Sequence, residues 1–569
     1  MFNYNYDYDY IVDSSWISAT KTRNYILDDP LIDYLKYTNK LKRKREDTFL
    51  NLILDNGLKF EENIIKILRE KFPNKITTIS IQMDDIRNPL YFKKTIDAIN
   101  NKDPIIYQGV LHNPLNKTFG APDLIVRGDY INKIINNQID NINNDAYYII
   151  DIKNSLMHLS AKSDNLLNNQ TLKPYKAQLL IYCQILNQIQ IQNTNTNMAF
   201  VMGSKWVRHT QNKIIRSSDP FDRLGIIDYA NNDISYIKLV EEAVAWNKLI
   251  HNQPKTLCHT IPNHKNLYPN MCNQLIDPVF KKIKLDLALK NYEITSLWMC
   301  GIKHRNNALK HNIDRWNDPQ LNSKILGING QRGKTLDLIL DINRSTTKII
   351  HPPKIKSNFN NWKSRDQLAF YIDFETINTT IFDSEDESVE IIFMIGIGYS
   401  VSNIYYHKTI IALDLSNTEQ IRIINEMLVF IKEISILNHV NYLDVNLYHW
   451  SNFEPNILCR ICNNLNIEYP NLRWTDILIL FHTEPIIIKG ALDFSLKSVG
   501  KALYKLKLIK TIWPKKSNNI SDGLEAMYEA FKIYQQKTDI IKKMKQITLY
   551  NKIDCKIMWD ILNAIHKIA

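Results

Sequence analysis

The chain has 569 residues, 44% of them hydrophobic and 23% charged, a balance that fits a soluble globular protein and excludes a disordered or fibrous one. Lys and Arg number 71 against 59 Asp and Glu, a net charge of +12, which suits a polyanionic partner such as nucleic acid, although an Asn-, Ile- and Lys-rich chain also follows from an AT-rich genome. Seven scattered cysteines argue against a disulfide framework and for a reducing compartment; with no run of about 18 apolar residues and no secretory signal in MFNYNYDYDY, the expectation is a soluble intracellular protein that is neither secreted nor membrane-bound.

Residues 1–255 alternate between helical and strand-like segments. LKFEENIIKILREK at 58–71 puts Phe60, Ile64, Ile65 and Leu68 on one helical face. DLIVRGDY at 123–130 and YYIIDIKN at 147–154 are short, apolar and rich in β-formers, and predict strands. Pro174 opens a predicted helix through YKAQLLIYCQIL at 175–186, and AFVMGSKW at 199–206 predicts a further strand. This order implies an α/β fold.

Within that region Pro122-Asp123 is followed by Asp151-Ile152-Lys153. Residues i and i+2 of a strand share a face, so Asp151 and Lys153 emerge side by side. Asp123 on a neighbouring strand can add a second carboxylate, and Glu61 on the preceding helix a third. Phosphodiester hydrolysis calls for this grouping. Mg²⁺ takes hard oxygen ligands and keeps several waters, polarises the phosphate and lowers the pKa of bound water, while Lys153 can orient that water or offset developing charge. Gln178 and Tyr182, at i and i+4 of a helix, can hydrogen-bond or stack on a nucleic-acid end. Each piece alone also describes ordinary strand-end acids, a surface lysine or a polar helix rim.

Taken in order, Gly57-x-x-Phe60-Glu61, Asp123, Asp151-x-Lys153 and Gln178-x-x-x-Tyr182 resemble the RecB-type branch of the PD-(D/E)XK nucleases. The resemblance covers roughly residues 10–250, extending to DRLGIIDY at 222–229. It implies a restriction-endonuclease-like fold, with Mg²⁺ or Mn²⁺ held by Glu61, Asp123 and Asp151, and with Lys153, Gln178 and Tyr182 supporting catalysis. Some RecB-type nucleases carry four cysteines for an iron–sulfur cluster. Cys183, Cys258, Cys272 and Cys300 match no cluster spacing, so no cluster is expected. Cys459-x-x-Cys462 lacks a second pair and reads as a helical coincidence.

Residues 256–345 predict a mainly helical connector, in which 294–313 suggests a helix-hairpin-helix-like element able to meet phosphates at helix N-termini; a purely structural connector is the other reading. Residues 346–365 are rich in Pro, Lys and Asn and predict a linker. A second α/β pattern fills 366–569. FYIDFET at 370–376, EIIFMIGIGYS at 390–400 and IYYHKTIIAL at 404–413 form a predicted meander. A helix at 417–437, a strand NLYHW at 446–450 and a long helix over at least 538–567 follow.

Asp373 and Glu375 share a strand face, a common way to present a two-metal site. Tyr550 and Asp554 lie one helical turn apart near the end of the chain. With YHWSNFEPNIL at 448–458 between them, these motifs resemble the DEDD exonucleases of the tyrosine subtype, which have an RNase H-like fold. The resemblance implies metal ligands Asp373, Glu375, Glu454 and Asp554, with Tyr550 positioning the attacking water. Glu454 stands where that family has Asp, which puts activity here in doubt, and Asp476 in WTDIL is an alternative acid. The pairing of the two modules, with YPNM at 268–271, EITSLWMCG at 293–301 and GINGQRG at 327–333 between them, resembles RecB-family nucleases with a fused C-terminal RNase H-like domain. The implied activity is hydrolysis of DNA, exonucleolytic on ends or single strands. RNA processing, and a nucleic-acid-binding scaffold with one degenerate domain, stay open as alternatives.

Overall fold

The structure, a computed structural model, describes residues 10–38, 49–80, 82–169, 171–190, 196–211, 213–273, 278–363, 366–378, 390–514, 523–536 and 539–567. Of the N-terminal decapeptide only Tyr10 lies within these residues. The chain is a mixed α/β protein of two compact units, Met1–Asn291 and Tyr292–Ala569. Among the described residues no helix is long and apolar enough to cross a membrane.

The main sheet of the first unit runs Gly225–Asp228, Met198–His209, Tyr147–Leu159, Leu124–Arg127, Ile105–Tyr107, Ile76–Thr78, and Ile214–Ser217 pairs with Met198–His209. Tyr147–Leu159 is antiparallel to Leu124–Arg127 and parallel to Met198–His209. Helix Lys173–Ile189 makes the crossover that a parallel pair requires. Tyr147–Leu159 opens as a near-continuous apolar run because both its faces are covered. Tyr147 and Ile149 pack with Leu179, Ile181 and Leu186 of that crossover helix. Tyr148, Ile150 and Ile152 pack with Ile64, Ile65 and Leu68 of helix Phe49–Lys71. Each such side chain contributes roughly 1.5–3 kcal/mol when fully buried.

The strand expected at 123–130 ends at Arg127 and turns into helix Gly128–Ile134. The Asn143 carbonyl comes so close to Gly128 that a Cβ there would stand 2.0 Å from it, and Arg127 pairs with Asp129 at 2.6 Å across the turn. Neither contact is visible in local hydropathy.

The region read as a connector divides between the units. Residues up to Asn291 belong to the first, where Lys284 is buried against Asp29 at 2.8 Å and donates to the carbonyls of Asn270 and Asn273. Residues from Tyr292 belong to the second. Segment 294–313 holds a single α-helix, Ile302–Leu309, after a 3₁₀ turn at Ile294–Ser296. Its Arg305 points inward to Glu293 at 3.1 Å, so this segment forms no pair of helices of its own. The segment read as a linker is packed. Ile350–His351 pairs with Ile487–Ile488, and Ile355 and Trp362 are buried in the core of the second unit. Two large side chains separated by polar runs anchor it, a pattern that periodicity does not register; residues 364 and 365 lie outside the described set.

The second unit carries a five-stranded sheet in the order Ile404–Ile411, Glu390–Val401, Leu368–Asn378, Asn446–His449, Arg473–Asp476. The first three strands are antiparallel and the last two parallel to Leu368–Asn378. Numbered along the chain, the order is 3-2-1-4-5. Phe370, Ile372 and Phe374 face Ile423, Met427 and Ile431 of helix Asn417–Leu437. Ala369 and Tyr371 face the core that includes Ile557, Met558 and Ile561 of helix Lys545–His566. The helix expected over 538–567 is broken near Met544 into Ile540–Lys543 and Lys545–His566, and residue 538 lies outside the described set. A helix at Gly523–Gln536 precedes it.

Candidate active sites

In the first unit the middle of the Tyr147–Leu159 strand brings Asp151 and Lys153 onto the same face as Tyr147 and Ile149, toward helix Lys173–Ile189. Asp123, immediately before its neighbouring strand, accepts the Ile152 N–H at 2.7 Å. Lys153 Nζ lies 3.3 Å from Asp123 Oδ2 and 2.6 Å from Asp151 Oδ2, within ion-pair distance of both. Burial raises the Asp151 carboxyl to about 7, Lys153 opposing the rise and Asp123 adding to it. Burial alone would lower the Lys153 ammonium, but Asp123 and Asp151 beside it hold it charged.

Glu61, inside helix Phe49–Lys71, joins them through its neighbours. It accepts from Gln108 Nε2 at 2.6 Å and from the Tyr107 hydroxyl at 3.1 Å. Burial and then Asp123 raise its pKa. Gln108 also donates its N–H to the Asp123 carbonyl at 2.9 Å. Its φ of +54° is a left-handed conformation uncommon for a residue other than glycine, and such strain concentrates at functional positions. Neither Tyr107 nor Gln108 stood out in the sequence; backbone strain has no sequence signature. The Gln178 amide donates to the Tyr182 hydroxyl at 3.0 Å. Tyr182 is only 2% exposed and its ring lies against Gly120, where a Cβ would meet it at 2.5 Å. The expectation that this pair stacks on a nucleic-acid end therefore meets a buried ring, and Tyr182 instead positions Gln178.

In the second unit Asp373 and Glu375 project toward helix Lys545–His566, and Asp554 on that helix completes a trio. Ligand oxygens of Asp373, Glu375 and Asp554 lie within 4.8 Å of one another. Among the described residues this is the one group of three so placed. Burial, followed by the charge of Asp554, pushes Asp373 and Glu375 well above the usual carboxylate range. Burial raises Asp554 to about 6, with Lys497, Trp513 and Tyr550 opposing the rise. Glu454, in the first turn of helix Phe453–Leu465, is raised by burial to about 8. Tyr550 is held firmly protonated by burial and by the carboxylates of Asp554, Glu375 and Asp373.

The supporting residues here were not singled out from sequence. Asn551 donates to Asp373 Oδ2 at 2.8 Å and to its carbonyl at 3.1 Å. Gly396 pairs opposite Asp373, and a Cβ there would fall 1.9 Å from Asn551 Oδ1, so the glycine makes room for that amide. The Trp513 indole donates to Asp554 Oδ1 at 2.7 Å. Lys497 Nζ sits 4.8 Å from the Tyr550 ring centroid. His449 is buried, bonded to the Ser451 carbonyl and 3.8 Å from Glu454 Oε2. Asn551 lies between Tyr550 and Asp554 and was open to notice; Lys497 and Trp513 carried no signal. Asp476, the alternative acid, has a defined local task. It caps helix Ile477–Thr483 by accepting from Leu478 N at 2.8 Å, and it accepts Ser451 N at 2.9 Å. Cys459 and Cys462 lie along the single helix Phe453–Leu465.

The residues present fit a divalent cation in the second unit. The donors are hard oxygens, and Glu454 Oε2 is a buried carboxylate atom with no hydrogen-bond partner among the described residues, a costly state that a cation relieves. Comparison with family models, curated proteins and solved structures finds no match to this chain.

Proposed function

We propose that the protein is a Mg²⁺- or Mn²⁺-dependent nuclease with two hydrolytic sites, acting on DNA at ends or single strands. The observation that carries this reading is the Asp373, Glu375 and Asp554 cluster, with protonated Tyr550 one helical turn from Asp554. The 3-2-1-4-5 strand order supports an RNase H-like assignment for the second unit. The helix, three-strand meander, crossover helix and parallel strand around Asp151 support a PD-(D/E)XK assignment for the first.

Asp373, Glu375 and Asp554, with Glu454 beside them, would hold metal in the second unit; Glu61, Asp123 and Asp151 would do so in the first. A bound ion of this kind supplies Lewis acidity to a phosphate oxygen and acidifies water. The chain's own groups do the rest. Asn551 and Trp513 each fix one oxygen of a cluster carboxylate. Tyr550 keeps its proton at neutral pH and offers a donor to an attacking water. Lys153, charged and preorganised between two carboxylates, offsets charge building on a phosphate.

The test is cleavage of end-labelled single- and double-stranded DNA and RNA with Mg²⁺, Mn²⁺ or EDTA, using the full chain and its Asp151→Ala, Asp373→Ala and double variants. The expected result is metal-dependent cleavage of DNA that disappears in the double variant. Nucleic-acid binding with no cleavage under any metal would leave a scaffold. A double variant as active as the wild type would refute the site assignment, and cleavage of RNA alone would make the chain an RNA-processing enzyme.

A further inference from the structure

Helix Leu496–Lys505 has two unlike faces. Val499, Gly500, Ala502 and Leu503 are buried, and Gly500 lies so close to Ile557 and Trp513 that a Cβ would stand 3.0–3.1 Å from both. The opposite stripe carries Lys497, Lys501, Tyr504 and Lys505. Ser495 caps the helix, accepting from Ser498 N at 3.3 Å, so Lys497 sits in the first turn, next to Tyr550 and within the field of Glu375 and Asp554. Lys501 and Lys505 follow at one-turn intervals and are exposed, as are Lys507 and Lys510 beyond the helix. Tyr504 is 39% exposed between them.

Like charges four residues apart disfavour a helix. Among the described residues the charges acting on Lys501 are those of Lys497 and Lys505, with no acid among them. A solvated face designed for stability would interleave acids here; this one leaves a row of positive charge leading to a carboxylate cluster. Successive lysines are about 6 Å apart along the axis, comparable to neighbouring phosphates on an extended strand, and an exposed aromatic beside them offers a surface for an unstacked base.

We propose that this stripe is the entry track of the second site for a single-stranded nucleic acid, with Lys501 and Lys505 on successive phosphates, Tyr504 stacked on a base and Lys497 at the inner end beside the carboxylates. The proposal rests on the nuclease reading of that site. It names the substrate's form, a single strand, since a base held in a duplex has no free face for Tyr504.

Fluorescence anisotropy of a fluorescein-labelled oligothymidine, titrated with full-length protein in EDTA over a salt series, tests it without cleavage. The K501Q/K505Q variant is expected to lower the slope of log affinity against log salt by about 1.4, at about 0.7 per lost phosphate contact. K501R/K505R is expected to keep the slope. Y504A is expected to bind about tenfold more weakly, and all variants to keep the wild-type Tm. If the wild type shows no salt-dependent binding, the nuclease reading of this site falls together with the track. If it binds but K501Q/K505Q keeps the full slope and Y504A its affinity, the track alone is refuted and the row is a solvated surface.

Discussion

Replacing Asp373 with Asn should stabilise the metal-free second unit and remove that unit's response to metal, two effects of opposite sign from one change. The substitution preserves shape, and an asparagine carbonyl can still accept from Asn551, which now donates to Asp373 Oδ2 at 2.8 Å. What disappears is a negative charge among oxygens within 4.8 Å of one another. At that separation and an effective dielectric constant of 20, one like-charge pair costs about 3 kcal/mol. Protonation discharges part of this, so the expected gain near pH 8 is ~1–3 kcal/mol, each kcal/mol raising Tm by about 2–4 °C in a domain of this size. The sign follows from linkage. The folded pKa of Asp373 is raised above its ordinary value, so its stabilising contribution is complete below the unfolded pKa and is lost as pH rises through the folded one. The gap between variant and wild type should therefore widen from pH 5 to pH 8. Mn²⁺ at about a hundred times its dissociation constant adds ~2.7 kcal/mol to a unit that binds it only when folded, which the transition of the second unit should show in the wild type and lose in the variant, while that of the first unit responds alike in both. Calorimetric melts with EDTA and with Mn²⁺ at both pH values read all four states. A metal-free variant less stable than wild type at pH 8, or one whose second unit is stabilised equally by Mn²⁺, would refute the electrostatic account.

Three further outcomes are expected. Trp513→Phe removes the indole donor from Asp554 and should weaken Mn²⁺ binding about 10–100-fold by titration calorimetry, as loss of an outer hydrogen bond to a metal ligand does; unchanged affinity would mean the indole does not orient the carboxylate. In an Asp373→Ala background, which isolates the first unit, Mn²⁺ affinity should fall about tenfold per pH unit below the Asp151 pKa of about 7 and level off above it, because metal competes with a proton; a flat profile from pH 5 to pH 8 would remove Asp151 from the ligand set. Gly396→Ala drives a methyl toward Asn551 and should lower stability by ~1–3 kcal/mol, as overpacking does, while weakening Mn²⁺ binding because Asn551 no longer holds Asp373; a variant with wild-type Tm and affinity would show that the amide has room to move.

The acids were legible in the sequence because strand periodicity fixes which of them share a face: Asp373 with Glu375, Asp151 with Lys153. The convergence of Asp373 and Glu375 with Asp554 was expected only through resemblance, since no local pattern links residues so far apart, and Glu61 entered as the further oxygen ligand that a metal near Asp123 and Asp151 calls for. The residues that hold the carboxylates were harder to see. Gln108 depends on a left-handed backbone, Gly396 on a close approach across the sheet, and Trp513 on a loop with no period. The apparent linker failed for a related reason, because Ile355 and Trp362 anchor a segment whose average is polar. Hydropathy reads repeated burial well and single anchors poorly.

The buried ion pairs elsewhere in the chain set a standard against which the second cluster can be judged. Lys176 meets Asp233 at 2.6 Å, Lys284 meets Asp29 at 2.8 Å and Arg305 meets Glu293 at 3.1 Å. Each is one base to one acid, and further hydrogen bonds satisfy the base in the first two. Such pairs break even at best against apolar residues, and losing one partner costs several kcal/mol, which is why a fold that keeps buried charges for structure keeps them balanced. The first cluster follows the same pattern in part, since Lys153 is shared between Asp123 and Asp151. The second departs from it: one lysine, Lys497, acts on Glu375 and Asp554, while burial holds all four carboxyls above their ordinary range and neighbouring carboxylates add to the rise at Asp373, Glu375 and Glu454. Asn551, Trp513 and Lys497 offset that imbalance only in part, since the carboxyls stay raised, and among the described residues Glu454 Oε2 has no hydrogen-bond donor. Local rules of stability are broken where function requires it. A cluster that costs the fold energy and would be repaid by a divalent cation supports the metal-dependent reading more strongly than the identity of any one acid.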